Sequence, residues 1–328
     1  MSNTMIIKTI DAHIMGEPLR AVVEGFPVIE GNTMLEKQAY FIKHFDSYRR
    51  GLLLEPHGHS DMFGAVLTDA VHKDADIGVL FMNTQGMEPM CGHGSIAMAV
   101  IAVKYGYVAE KEPITTVRLD VPAGIVSVDV KIKNKKIEGA TLVNVESYMT
   151  DENIELKVDS QQAIVVDIAY GGNRFALVQA KSAGIDLDSA NLEHIISVGM
   201  MIKKTLNRKK QYEDVLGTLF YQKNKDISAD YDYTDVVVFG EGSVDRSPCG
   251  TGTSALLAML RAKNIVQENE DICIKSVFGG MFTVTSHAER NEDDQLFIVP
   301  KIIGNAYIIG ESKHFFNDDD PLIYGFHL

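Results

Sequence analysis

Residues 91–108 read CGHGSIAMAVIAVKYGYV and residues 249–266 read CGTGTSALLAMLRAKNIV. Aligned without gaps, the cysteine, both glycines and the first alanine coincide, and Ser95 falls on Thr253. A β-branched run precedes each copy, Ile77 to Phe81 and Val236 to Phe239. A strand–glycine–strand pattern follows each, around Gly124 and around Gly279–Gly280. Upstream, SDMFGAVLT from Ser60 resembles GGNRFALVQ from Gly171. A period of about 158 residues is far beyond that of solenoids and arrays. The repeat instead predicts two pseudo-equivalent halves facing one another. Residues 1–126 carry Cys91 and are completed by 300–328; residues 127–299 carry Cys249.

Apolar, β-branched stretches predict strands at Met5–Ile10, Leu52–Leu54, Ala65–Thr68, Ile77–Phe81, Val117–Val121 and Ile125–Val130. Others follow at Ala163–Ile168, Phe175–Gln179, Val236–Phe239, Ile272–Phe278 and Leu296–Val299. Helical patterns cover Met34–His44, Ser95–Tyr105, Leu187–Leu206 and Thr253–Lys263. Strands, helix, strands, twice over, is an α+β plan and not strict βαβ alternation. At 328 residues the chain buries enough surface to hold a core without disulfide or metal. Its net charge of −14 is spread along the sequence and repels phosphate backbones, which argues against a nucleic-acid partner. The longest apolar run, Ile96–Val103, falls well short of the roughly 20 residues of a membrane span. The start, MSNTMIIKTIDAH, lacks the features of a secretory signal, and three cysteines make no disulfide framework. A soluble, cytoplasmic protein is expected; a homodimer is compatible with the sequence, which does not disclose oligomeric state.

In both repeats the Gly-x-Gly-Ser/Thr segment feeds a run apolar nearly all round, so each helix belongs inside its domain. Ser95 or Thr253 is expected as N-cap, with Gly106 or Asn264 at the C-terminal exit. Each cysteine then stands at a helix N-terminus, where the dipole and unsatisfied N–H groups favour an anion and a lowered thiol pKa is expected. The glycines leave main-chain N–H groups open to a substrate carboxylate. Two such termini together give two thiols flanking one carboxylate-bearing carbon. Inverting an α-carbon needs a base on one face and an acid on the other, roles a thiolate and a thiol exchange with direction. Preorganised N–H donors stabilise the enolate-like charge, and a carboxylate beside the substrate's protonated amine adds to this. A lone buried cysteine is ordinarily inert packing. That reading is kept for Cys273, whereas the aligned repeat lifts Cys91 and Cys249 out of it.

Two other patterns compete. Gly92–Ala97 and Gly250–Ala255 fit the G-x-G-x-x-A dinucleotide fingerprint, with Glu112 and Asp271 downstream as acidic residues. A dinucleotide-binding strand runs straight into its first glycine, however, and here Glu88-Pro89-Met90 and Asp245-Arg246-Ser247-Pro248 intervene. His57-x-His59-x-Asp61 looks like a metallohydrolase segment, yet Met62 stands where a further histidine is usual and no second ligand cluster follows. It reads as a polar turn, and no metal is expected.

MCGHGSIA (Met90–Ala97) and DRSPCGTGTSA (Asp245–Ala255) resemble the two signature motifs of the proline racemase family. TIDAHIMGEPLR, LLLEPHGHSDMFGAVLT, VPAGIVSVDV, PKIIGNAYIIG and DDDPLIYGF extend the resemblance over essentially the whole chain. It implies a fold like diaminopimelate epimerase: two similar halves, each a curved, mostly antiparallel sheet around a central helix, with the active site in the cleft. It also implies racemisation or epimerisation of a cyclic amino acid, proline or 4-hydroxyproline, with no pyridoxal phosphate, other cofactor or metal. Carried over by position, Cys91 and Cys249 become the acid/base pair, and the N–H groups of Gly92, His93, Gly250 and Thr251 hold the substrate carboxylate. Asp245 binds the ring nitrogen, with His93 near it. The family's dehydratase branch carries threonine in place of the second cysteine, so Cys249 disfavours dehydration of trans-3-hydroxy-L-proline. The histidine that many hydroxyproline epimerases carry ahead of the second motif is absent, VLGTLFY offering only Thr218 in its place, which tilts the reading toward proline. The dehydratase and a catalytically inactive cyclic amino-acid binding protein are the alternatives.

Overall fold

The computed structural model describes residues 4–157, 163–226 and 228–327. They form an α+β protein with two compact units, Met1–Leu142 with Asn305–Leu328, and Val143–Gly304. Among the described residues no helix is long and apolar enough to cross a membrane.

The first unit opens with β1 (Thr4–Ile14) and β2 (Glu17–Glu24). Met15 and Gly16 between them both have positive φ, 50° and 109°, the geometry of a tight hairpin whose twist matches its strands. α1 (Met34–Leu53) is the crossover that lets β3 (Phe63–Thr68) run parallel to β2. It starts where Thr33 Oγ1 accepts the Glu36 N–H at 3.1 Å, while the Glu36 carboxylate reaches back to the Asn32 N–H at 2.8 Å. β4 (Ile77–Asn83) lies antiparallel to β3 and to the short β5 (Met87–Glu88). A second crossover, α2 (Gly92–Lys104), leads to β6 (Ile114–Val121), parallel to β4. β7 (Gly124–Lys133) and β8 (Lys136–Val143) continue as an antiparallel meander.

α1 is one-sided: Phe41, Phe45, Leu52 and Leu53 pack with Ile7, Val22 and Leu80. α2 is buried along its first twelve residues and touches β1, β6 and β7. Each of its valines and isoleucines contributes about 1.5–3 kcal/mol by leaving water, which anchors the helix and its first residue firmly.

The second unit runs β9 (Tyr148–Lys157), β10 (Ala163–Tyr170) and β11 (Arg174–Gln179) as antiparallel neighbours. α3 (Leu192–Asn207) crosses over to β12 (Val215–Lys223), parallel to β11. β13 (Tyr233–Phe239) pairs antiparallel with β12 and with β14 (Ser243–Asp245). α4 (Gly250–Ala262) then crosses to β15 (Ile272–Ser276), parallel to β13, before β16 (Met281–Glu292) and β17 (Gln295–Gly304) close the series. The VVV run of β13 is apolar without alternation because both its faces are covered. Val236 and Val238 join the cluster under α3, and Tyr233 and Val237 the cluster around α4. The last strand, β18 (Ala306–Asn317), belongs to the first unit and pairs with β1.

Three expectations need correction. The break expected at 126/127 falls inside β7, whose ladders to β6 and β8 keep residues 127–142 in the first unit. Leu52–Leu54, expected as a strand, begins as the last turn of α1, Leu54 being its C-cap; a short apolar run facing a core has the same appearance in either structure. β2, β8, β9, β12 and β18 were not anticipated, because polar residues interrupt their apolar positions or a glycine sits among them.

Candidate active site

In the first unit the site is the start of α2. Cys91 is itself the N-cap, with extended backbone (φ −143°, ψ 118°). Its carbonyl accepts the Ser95 N–H at 2.9 Å and the Ser95 hydroxyl at 2.7 Å. Ser95, expected as the cap, therefore bonds back along the helix instead. The Cys91 thiol is 7% exposed and lies 3.5 Å and 3.6 Å from the two ring nitrogens of His93. The Phe63 ring, at the head of β3, packs T-shaped against the His93 ring, with centroids 4.7 Å apart and planes at 85°. Gly94 has no room for a side chain: a Cβ there would lie 2.7 Å from the Phe81 ring and 3.1 Å from Cys91 Sγ. Gly92 and His93 are the first two residues of the helix, whose N–H groups have no intrahelical acceptor.

In the second unit the site is the start of α4, and again the cysteine, not the threonine, is the N-cap. Thr253 Oγ1 donates to the Pro248 carbonyl at 2.8 Å. Cys249 has φ +64° and ψ 113°, a backbone rare for a side-chain-bearing residue. This bend turns Sγ over the helix start, where it accepts the Gly252 N–H at 3.3 Å and lies 3.7 Å from Thr251 Oγ1. Asp245, at the end of β14, accepts the Ser247 N–H (2.9 Å) and hydroxyl (2.7 Å) on Oδ1, and Ser247 Oγ accepts the Cys249 N–H at 3.1 Å. Asp245, Ser247 and Cys249 thus form one braced turn. The β10–β11 turn presses on the same helix start. A Cβ on Gly171 would lie 2.3 Å from the Thr251 carbonyl oxygen, and Asn144 Nδ2 donates to Gly171 O and Ser254 Oγ.

The lowered thiol pKa expected at a helix start does not hold for Cys249. Burial, then the Asp245 charge, push it well above the usual thiol range, and the Gly252 N–H and Thr251 hydroxyl, which pull it down, do not offset them. The dipole argument failed because it ignored both desolvation and the nearest carboxylate.

Each unit gathers its own predicted residues: Cys91, Gly92 and His93 in the first; Asp245, Cys249, Gly250 and Thr251 in the second. Thr218 turns the other way and donates to the Gly199 carbonyl of α3. Cys273 sits half-buried on β15. His57 Nδ1 lies 2.9 Å from Gly51 O, and His59 Nδ1 accepts the Asp61 N–H, so those rings serve the turn after α1. Among the described residues no three histidine, cysteine or acidic side chains converge as metal ligands. Sequence reasoning missed Ser247 and Phe63. The Asp-x-Ser spacing, a local side-chain-to-backbone turn signal, was available for the first; nothing local marked the second.

The family model "Proline racemase" matches residues 9–327. The chain belongs to the proline racemase family. It is 39% identical over 329 aligned residues to the proline racemase of Acetoanaerobium sticklandii, covering 98% of both chains. It is 34% identical over 333 aligned residues to the 4-hydroxyproline 2-epimerase of Streptosporangium roseum, covering 100% of each. The crystal structure of a hydroxyproline epimerase from Agrobacterium vitis, with bound trans-4-OH-L-proline, superposes with a TM-score of 0.86 at 26% identity, over 99% of this chain and 95% of that one. The two segments that resemble the family's signature motifs, Met90–Ala97 and Asp245–Ala255, hold the two helix starts just described.

Proposed function

We propose that this chain is an isomerase that inverts the α-carbon of proline or 4-hydroxyproline by cofactor-independent 1,1-proton transfer between Cys91 and Cys249. The observation that carries the reading is that each of two cysteines forms the N-cap of a buried helix opening with Gly-x-Gly. Similarity to a proline racemase and to 4-hydroxyproline 2-epimerases supports the substrate class. The reading takes the two units as pseudo-symmetric halves of the diaminopimelate epimerase type, each lending one thiol to a cleft. Support comes from the sequence repeat, and from a Gly-x-Gly helix in each unit that crosses between parallel strands.

In this mechanism the substrate carboxylate lies against the N–H groups of Gly92 and His93 and of Gly250 and Thr251. Its ring ammonium meets Asp245. One sulfur, as thiolate, takes the α-proton from one face; the opposite thiol gives its proton to the other face, and the two sulfurs end with exchanged protonation. The pair of electrons left by the departing proton is delocalised onto the carboxylate, where the N–H donors are already aimed. Cys249 is held as a thiol in the free protein by burial and by Asp245, and in that form it is the acid of the pair.

The test is incubation of L-proline, trans-4-hydroxy-L-proline and trans-3-hydroxy-L-proline in deuterated water. Change of optical rotation with α-deuterium incorporation and unchanged composition is expected for proline or the 4-hydroxy compound. Formation of a cyclic imine from the 3-hydroxy compound means a dehydratase, and saturable binding without exchange means a binding protein; either result overturns the proposal.

A further inference from the structure

Asp235 lies in the middle of β13 with 0% of its surface exposed, and neither carboxyl oxygen meets a donor among the described residues. Its neighbours locate it in the floor beneath α4. Tyr233 and Val237, on the same face of the strand, pack in the cluster that holds Cys249. Val237 is the strand partner of Asp245, and its methyl would lie 3.0 Å from a Cβ on Gly252. Asp235 is therefore one pleat from the residue that supports both the Asp245 turn and the first turn of α4.

Its strand partners are Tyr221 on β12 and Ser276 on β15, Tyr233 shares its face of β13, and Asp245 is the charge that acts on it. None is a cation. Burial pushes the Tyr221 phenol up to about 12, so it stays uncharged. The Ser276 hydroxyl is already given to the Arg246 carbonyl at 2.6 Å. An unmatched ionised carboxylate in such a place is strongly disfavoured, whereas Asp245 receives two donors from Ser247. The charge of the pair belongs on Asp245. Burial first, then the Asp245 charge, hold Asp235 well above the usual carboxylate range.

We propose that Asp235 is a positioning residue that acts through Asp245: a carboxylic acid kept neutral in the floor of the site, which leaves Asp245 as the one carboxylate to meet the substrate amine. The proposal rests on the reading of Asp245 given above. When Asp235 ionises at alkaline pH, a second negative charge enters beside the carbon that must itself gain negative charge, and turnover slows. Stability follows the same sign. The native protein binds this proton more tightly than the unfolded chain, so the contribution is complete below the ordinary carboxylate range. It is lost as pH rises toward the folded value.

Asp235→Asn, which is permanently neutral, is compared with wild type and with Asp245→Asn. The alkaline limb of kcat/KM should move up in Asp235→Asn by about half a pH unit or more, and its gain in Tm over wild type should grow between pH 5 and 9. A profile that superposes on wild type overturns the proposal, as does a loss of more than about tenfold at neutral pH with the limb unmoved. Asp245→Asn should raise KM; if it does not, the reading of the site fails, while the Tm series still judges the protonation of Asp235. Should Asp235→Asn not fold, wild-type protein carrying carboxyl-¹³C aspartate decides. One aspartate carboxyl must remain protonated at pH 7, and finding all of them ionised overturns the proposal.

Discussion

Cys91 and Cys249 occupy the same place relative to their helices and reach it by different backbones. Cys91 is extended, its sulfur bonds no helix N–H, and its neighbour is the His93 ring two residues on. Cys249 has a positive φ, its sulfur caps the Gly252 N–H, and its neighbours are the Thr251 hydroxyl and the charge of Asp245. Four residues before Cys91 stands Met87, and four before Cys249 stands Asp245. One short motif thus delivers two thiols with opposite surroundings, one beside an imidazole and one beside a carboxylate. A residue pair that must trade the roles of acid and base need not be built alike; each needs only a helix start to hold it.

The hardest blow to this comparison comes from removing each sulfur in turn. Cys91→Ser and Cys249→Ser should each lower kcat/KM by about 10³-fold, within the range of a lost acid or base, although the two thiols sit in unlike settings. Exchange of the substrate α-proton with deuterated water measures it. A serine variant that keeps a tenth or more of wild-type exchange would show that its thiol is a bystander.

The two cysteines were legible because the repeat puts them in register and because an all-apolar run after Gly-x-Gly has no place outside a core. The caps were not. Ser95 and Thr253 have the side chains that favour caps, but both reach back to carbonyls before the helix or at its start, and the cysteines take the position. Nor did the sequence disclose the raised Cys249, which depends on how deeply the turn around Ser247 is buried and how near it brings Asp245. Nothing in the sequence singles out Asp235 ahead of its valine run; its isolation appears once β12, β13 and β15 are laid side by side. The unit boundary slipped for a similar reason. Gly124 was read as part of a unit trailing the first motif, and the β6–β7–β8 meander carries that unit on to Leu142.

A smaller effect separates the two thiols directly. Asp245→Asn keeps an oxygen for the Ser247 N–H and hydroxyl but removes the charge that pushes Cys249 up, so the Cys249 pKa falls. At pH 7 the thiolate fraction, and with it alkylation of Cys249 by iodoacetamide, should rise about tenfold for each unit of that fall. Peptide mapping of the alkylated protein reads each cysteine separately, and the Cys249 rate is compared with that of the same residue in wild type. Equal rates at Cys249 in variant and wild type would mean that desolvation alone sets its protonation.

The least effect expected is on stability, and it isolates the backbone. Cys91→Gly and Cys249→Gly each delete a buried thiol, 7% and 8% exposed, and each frees the unfolded chain by the same amount. They differ in what glycine does to the native backbone. At φ −143° the residue 91 backbone suits any side chain, so glycine relieves nothing there. At φ +64°, ψ 113° glycine removes a conformational cost of about 1–3 kcal/mol, against which stands the loss of the sulfur's hydrogen bond to the Gly252 N–H, worth about 1 kcal/mol or less. Cys249→Gly should therefore be destabilised less than Cys91→Gly by about 1 kcal/mol, read as the difference between their urea unfolding midpoints at equal m-value. If the two variants unfold together, or Cys249→Gly unfolds first, the backbone at Cys249 carries no strain. The bend that brings its sulfur over the helix start is then simply the relaxed form of this turn, set by Pro248 and Ser247 and not held against its preference by the site.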